Sequence, residues 1–295
     1  MSTLWLKGIA LLAMTIDHLG LVFGREGWNE VPFESSYLRA IGRIAFPIFA
    51  FCLAQGWHRT HNRKQYFLHV TWGAVASQIP FSMAFYPPNL VVTQTTDSQI
   101  RVEGVYLLFG CVAVWVYWRF VLQKRWEASL VPVAMAALLP GIRIQIHGFW
   151  FLCENTNVFY TFLMAFFCLY VLDHREKFDL AQRMALCIAG LVLLLAYGLP
   201  ADYGTGLLGI LLILGFSILP AKGQQALFLI LWSVLYYGLF VGNARSMLFC
   251  AIASIGILFY NPKSKSRFMA KKLFYGYYPV HLLILGIVNI GMRGR

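Results

Sequence analysis

Eleven apolar runs follow one another along the chain, and they limit its possible folds more than any other feature does. A helix needs roughly 17–25 mainly apolar residues to cross the hydrocarbon core of a bilayer. The pattern therefore predicts an all-α, polytopic bundle of transmembrane helices, with about 10–11 spans in a single domain over residues 1–295. The runs 128–142 and 156–172 also fit half-helices. The runs cover residues 4–24, 37–58, 65–86, 102–121, 128–142, 156–172, 183–200, 203–220, 225–242, 244–260 and 273–292.

Composition indicates that the apolar surplus faces lipid and does not form one large core. The chain is 59% hydrophobic and 12% charged, whereas soluble domains carry roughly 25% charged residues. Its net charge of +12 would suit nucleic acid only if the basic residues shared a soluble face, but they lie in short connections between apolar runs. We expect a lipid bilayer and no nucleic acid as partner. The six cysteines show no metal-ligand spacing, so no metal is expected.

Basic residues concentrate in alternate connections, and this alternation predicts an orientation. Cytoplasmic loops of membrane proteins carry an excess of Lys and Arg. The amino terminus and the basic connections are therefore predicted to be cytoplasmic, and Asp202 extracytoplasmic. The other connections and the carboxyl tail hold six basic residues. Fifteen of the 24 lie in the connections 59–64, 119–127, 173–183, 219–225 and 261–272, and Lys7 joins them at the amino end.

The first apolar run carries ionisable residues that hydrocarbon does not tolerate unpaired. Lys7 and His18 share a helical face about 16 Å apart, and Asp17 lies on the adjacent face. A buried carboxylate costs several kcal/mol without a partner. Arg39 and Arg43 in the second run share a face. Arg43 is predicted to lie at the same depth in the membrane as Asp17 and His18. An Asp17–Arg43 ion pair is predicted, which either only holds the two helices together or forms part of a functional site. His18 could form an interhelical hydrogen bond or act as a general base.

The last and the eighth runs add further candidates. Tyr278 and His281 share a face, and His281 lies about 12 Å from the predicted cytoplasmic end, too deep for an interfacial aromatic belt. Pro279 between them frees a backbone carbonyl. A site role is therefore predicted for Tyr278 and His281. Asp202 and Tyr203 open the eighth run, where an ordinary helix cap is the stronger interpretation of Asp202 taken alone.

Basic residues near the predicted inner surface could hold the phosphates of a nucleotide-bearing donor. Arg63 and Lys64 offer point charges for that role. The neighbouring Trp57, His58 and His61 fit interfacial anchoring better. The chain has no P-loop and no GxGxxG after a strand, so a nucleotide site of the standard soluble kind is excluded.

Four segments of the chain carry, in order, a pattern of specific residues. They are Lys7–Ala10 with Met14–Gly20, then Arg39–Phe51, then Asp202–Gly204 with Gly206, and finally Phe274–Leu283. This pattern resembles the TraX family of integral membrane proteins, whose known members acetylate the amino-terminal residue of conjugative pilin. The family is distantly similar to the membrane acyltransferases that take acyl-CoA in the cytoplasm. Residues 87–180 carry no matching motif.

The resemblance implies an acetyltransferase of the bacterial cell (inner) membrane. It would move an acetyl group from cytoplasmic acetyl-CoA to an acceptor at the outer face, a pilin amine or a similar peptide. By motif, the resemblance makes Asp17, His18, Arg43 and His281 catalytic candidates. It makes Lys7, Arg39, Tyr278, Asp202 and Tyr203 candidates for substrate binding. His18 is favoured as general base, and an acetyl-histidine intermediate is also compatible.

Other functions stay open on the sequence alone. The acceptor could be a hydroxyl of a cell-envelope glycan. A proton-coupled transporter could use the Asp17–His18 pair as a relay, although the chain shows no matching halves with interrupted helices. A scaffold protein would use the buried charges only to fix the register of its helices.

Overall fold

The computed structural model describes residues 2–23, 33–85, 98–146, 149–153, 155–198, 206–261 and 268–293, which form mainly helices. Every predicted apolar run is helical over most of its described residues. The helices are α1 (Thr3–Phe23), α2 (Phe33–Gly42), α3 (Ala45–Arg59), α4 (Arg63–Phe85), α5 (Gly104–Val116), α6 (Leu130–Leu138), α7 (Val158–Asp173), α8 (Leu180–Leu193), α9 (Gly206–Ile218), α10 (Lys222–Ser233), α11 (Ala244–Leu258) and α12 (Phe268–Arg293). Wider π-helical turns extend α5 over Tyr117–Val121, α8 over Leu194–Gly198 and α10 over Val234–Phe240.

Six of the described helical segments are long and apolar enough to cross a membrane. Four shorter apolar helices accompany them, and many large apolar side chains, such as Trp5 at 71% exposure, lie on the surface. The multi-pass helical bundle is thus confirmed, while the orientation of its amino terminus stays a prediction. The six segments are Thr3–Phe23, Tyr37–Arg59, Gly104–Val121, Leu180–Tyr197, Lys222–Phe240 and Tyr275–Met292.

A small antiparallel sheet interrupts the helical pattern in the middle of the chain. Its strands are β1 (Gln99–Val102), β2 (Ile142–Ile146) and β3 (Phe149–Leu152), in that order across the sheet. In β2, isoleucines alternate with Arg143 and Gln145, which is the period of a strand. The all-α prediction missed this sheet because its strands are short and lie mainly in the connections between apolar runs.

The described residues divide into two compact units, each built from two separate stretches. Unit 1 comprises residues 1–60 and 211–277, and unit 2 comprises residues 61–210 and 278–295. Within unit 1, α1 packs on α2 and α3, and α10 packs on α11. Within unit 2, α4 packs on α6, α7 and β3. The single domain predicted for residues 1–295 stays a prediction.

The second apolar run is broken in unit 1. α2 ends at Gly42 and α3 begins at Ala45, with backbone bonds of the tighter i to i−3 kind at Arg43 (3.0 Å) and Ile44 (3.1 Å). Pro47 explains the break, because its ring has no N–H and crowds the carbonyl of the residue four positions earlier, which is Arg43.

Candidate functional site

A buried ion pair joins α1 to α2 in unit 1. Nη1 of Arg39 lies 3.0 Å from Oδ1 of Asp17, and the Asp17 side chain is only 11% exposed. The ion pair that the structure shows runs to Arg39, one turn before the predicted partner Arg43, while Arg43 also acts on Asp17 through its charge. Arg43 lies in the tightened turn between α2 and α3, whereas Arg39 lies within α2.

The close approach of α1 and α2 depends on Gly42. A Cβ atom at position 42 would lie 2.7 Å from Oδ1 of Asp17 and would overlap the rest of that side chain. Glycine is therefore required where the backbone of α2 passes the carboxylate. This contact places the end of α2 against the site residue of α1 and holds Arg39 within reach.

Arg43 lies against an aromatic residue that the sequence did not single out. Its guanidinium carbon is 5.8 Å from the ring centre of Tyr237, a cation–π contact. Tyr237 belongs to the seven-residue π-helical extension of α10, and such irregular turns occur frequently at functional sites. Arg43 also acts on Asp17 through its charge. The only sequence signal for Tyr237 is its place in the pair Tyr236–Tyr237, which also fits an interfacial belt.

His18 is buried in unit 1 with 5% of its surface exposed, so it faces protein and not lipid. The buried face of α1 also includes Asp17 and Met14. Lys7 lies nearer the start of the helix and is half-buried. A hydrogen bond of 2.6 Å between the hydroxyls of Thr15 and Tyr277 ties α1 to the first part of α12.

Tyr278 and His281 lie in unit 2, where both are buried, with exposures of 5% and 8%. Their rings are 5.5 Å apart between centres, so they share a face as predicted. Tyr278 also packs edge-on against Phe159 of α7 at 5.3 Å. A common centre with His18 stays a prediction. Asp202 and Tyr203 fall outside the described residues.

The two cations considered for phosphate binding are engaged elsewhere in unit 2. Arg63 pairs with Asp173 at 2.8 Å, and Lys64 pairs with Glu127. Each positive charge therefore already faces a carboxylate. This disfavours Arg63 and Lys64 as the phosphate site. Within the described part of the chain, no group of three or more His, Cys, Asp and Glu side chains is placed to hold a metal ion.

Comparison with known proteins identifies the family. The family model described as "TraX protein" matches residues 2–95 and 94–289. The chain belongs to the TraX family. This TraX-family protein is also 24% identical over 294 residues to the "Probable fimbrial assembly protein FimC, serogroup H1" of Dichelobacter nodosus, an alignment that covers 96% of this chain and 94% of that protein. No solved structure matches the TraX-family chain described above. The resemblance read from the four sequence segments is confirmed.

Proposed function

We propose that this TraX-family protein is an acetyltransferase of the bacterial inner membrane, which moves an acetyl group from cytoplasmic acetyl-CoA to an acceptor at the outer face. The observation that carries the proposal is the buried Asp17–Arg39 ion pair next to buried His18 on α1. Ionisable groups inside membrane helices are costly, and they usually mark functional sites. The family resemblance supplies the reaction that these groups would serve.

In the proposed reaction, the imidazole of His18 takes a proton from the acceptor amine while the amine nitrogen bonds to the acetyl carbonyl carbon. The carbon–sulfur bond of the thioester breaks, and the leaving thiolate of CoA receives the proton back from the imidazolium. An amine and a thioester thus become an amide and a thiol, and no further reactant is needed. An acetyl-histidine intermediate would reach the same products in two steps.

Arg43 has the charge to stabilise the oxyanion that develops on the thioester carbonyl. Its contact with Tyr237 at 5.8 Å supports this role, because a guanidinium held on a ring face is positioned before the reaction starts. Arg39 compensates the charge of Asp17 in the buried site. Positioning of donor or acceptor by the remaining candidates, Lys7, Tyr278, His281, Asp202 and Tyr203, stays a prediction.

The proposed acceptor is the amino-terminal amine of a pilin or a similar peptide. The family resemblance supports it, as does the name of the relative from Dichelobacter nodosus, a fimbrial assembly protein. A hydroxyl of a cell-envelope glycan is the alternative acceptor. A proton-coupled transporter is the alternative outside the enzymes.

The direct test is turnover by the purified protein in lipid nanodiscs, with radiolabelled acetyl-CoA and envelope fractions as the source of acceptor. We expect a labelled acceptor with the wild-type protein and a loss of at least about a hundredfold with His18→Ala, as for removal of a general base. His61→Ala is the matched control, because His61 is exposed in the connection between α3 and α4, and it should leave the rate unchanged.

Unchanged labelling with His18→Ala would exclude the catalytic role of this residue. Uptake into proteoliposomes that needs a pH gradient and no acyl-CoA would instead favour the transporter. Mass spectrometry of the labelled product separates an acetylated amine from an acetylated hydroxyl, and so decides between the peptide and the glycan acceptor.

A further inference from the structure

Five helix ends of unit 1 meet around one buried tyrosine. α1 begins at Thr3, α3 ends at Arg59, α9 ends at Ile218, α10 begins at Lys222 and α11 ends at Leu258. Tyr260, which follows α11, is only 3% exposed. The ends of α3, α9 and α11 and the start of α10 border the basic connections 59–64, 219–225 and 261–272. The distribution of basic residues and the packing therefore group the same helix ends.

Tyr260 fixes two exposed cations by hydrogen bonds. Nη1 of Arg59 donates to the phenol oxygen at 2.6 Å, and the guanidinium carbon lies 5.2 Å from the ring centre. Nζ of Lys222 donates to the backbone carbonyl of the same residue at 2.6 Å. The hydroxyl of Thr3 lies 3.3 Å from the phenol oxygen. The bonds from Arg59 and Lys222 both run to neutral oxygen atoms of Tyr260, and they hold the two side chains in place.

A third basic side chain lies beside Arg59. Nε2 of exposed His58 is 2.7 Å from the hydroxyl oxygen and 3.1 Å from the carbonyl oxygen of Ser217, near the end of α9. Lys7 on α1 is half-buried and lies about one helical turn beyond Thr3. Basic character therefore continues from the helix ends one turn into α1, which carries His18 roughly 22 Å beyond Thr3.

We propose that Arg59, Lys222 and His58 form a binding site for the phosphate groups of an organic polyphosphate. The identity of the ligand rests on the proposed function: it is the nucleotide part of the acetyl donor. The acyl arm of the donor would then extend along α1 toward His18. Guanidinium and ammonium groups held at fixed positions suit phosphate oxygens, which they bind by charge-assisted hydrogen bonds. Phosphate is also present in anionic lipid head groups, so the test separates the two sources.

The test measures binding of CoA, without an acetyl group, to the full-length protein in phosphatidylcholine nanodiscs by titration calorimetry. We expect Kd to rise about a hundredfold in the double variant Arg59→Gln/Lys222→Gln, since each of the two charge-assisted bonds contributes about tenfold. Arg59→Lys should retain most of the affinity because it keeps the charge. The matched control is Arg175→Gln/Lys177→Gln, which removes two exposed charges after α7 and should leave Kd unchanged.

Separate outcomes decide the inference and the proposed function. Equal CoA affinity in wild type and in Arg59→Gln/Lys222→Gln would overturn the site, and so would wild-type protein that does not bind CoA. If Arg59→Gln/Lys222→Gln lowered only the amount of phosphatidylglycerol that stays bound to the protein, and not the affinity for CoA, the cluster would bind lipid head groups. That result would overturn the donor site. Weakened CoA binding without any acetyl transfer would support the site while the proposed function fails. His18→Ala should abolish transfer and leave the Kd for CoA unchanged.

Discussion

At the scale of single residues, the ion pair of Asp17 and Arg39 joins α1 to α2 where water is largely excluded. Removing two charges from water costs several kcal/mol per ion, and their mutual attraction offsets this only in good geometry. Loss of one partner leaves an uncompensated charge and costs about 3–5 kcal/mol. A substitution at Asp17 or Arg39 alone is therefore expected to lower thermal stability, so it tests stability before it tests chemistry.

Exchanging the two charges separates a structural from a catalytic role of the pair. Asp17→Arg/Arg39→Asp keeps opposite charges across α1 and α2, so we expect thermal stability in detergent to recover relative to each single variant. Acetyl transfer should stay lost, because the carboxylate has moved away from His18. The control is the single variant Arg39→Asp. Full recovery of transfer by the exchanged pair would mean that the charges only fix helix register.

Gly42→Ala tests the contact that places α2 on Asp17. The added methyl group would lie 2.7 Å from Oδ1 of Asp17, so the helices must move apart. Overpacking of this kind costs about 1–3 kcal/mol, and transfer should fall because Arg39 and Asp17 separate. Gly8→Ala on α1 is the matched control, because nothing lies within 4 Å of its added Cβ. Equal melting temperatures and rates for the two variants would contradict this account.

At the scale of elements, irregular backbone places the functional side chains of unit 1. The break between α2 and α3 separates Arg39 from Arg43, and the π-helical extension of α10 presents Tyr237 to Arg43. Apolar periodicity predicts regular helices in both places. Pro47 marks the break in the sequence, because proline disrupts a helix locally. The π-helical turn has no comparable marker in the sequence.

Pro47→Ala should restore a regular helix across the break. Alanine at position 47 supplies an N–H for the carbonyl of Arg43 and removes the clash of the ring. We expect a rotated Arg43 and a reduced transfer rate, without a matching loss of thermal stability. Pro80→Ala within α4 is the control for removing a proline from a helix of unit 2. Transfer at the wild-type rate in Pro47→Ala would show that the break does not position Arg43.

At the scale of the whole molecule, two basic side chains contact one buried tyrosine at one end of unit 1. Arg59, Lys222 and Tyr260 meet at that end. Arg245 stacks on Tyr37 at 4.5 Å, where α11 begins, at the other end of that helix from Tyr260. The prediction that the first end is cytoplasmic rests on the distribution of Lys and Arg between connections.

Cysteine labelling tests this orientation. The segment Lys222–Phe240 is 19 residues long, roughly 28 Å as a helix, which is enough to cross the hydrocarbon core. In a background with the six natural cysteines replaced by alanine, Gly223→Cys should react with an impermeant reagent only from the cytoplasmic side. Val241→Cys should react only from the opposite side. Labelling of both from one side would show that this segment does not span.

The sequence alone determined the membrane helices, the ionisable residues of α1 and the TraX resemblance, because apolar run length and residue identity are local properties. It also placed Tyr278 and His281 on one face, since helical spacing fixes neighbours within an element. Only the tertiary structure decided that Asp17 pairs with Arg39 and that Arg43 contacts the ring of Tyr237. It also decided that Arg59 and Lys222 both donate hydrogen bonds to Tyr260. Partners on different helices depend on breaks, π-helical turns and close crossings, which periodicity does not encode.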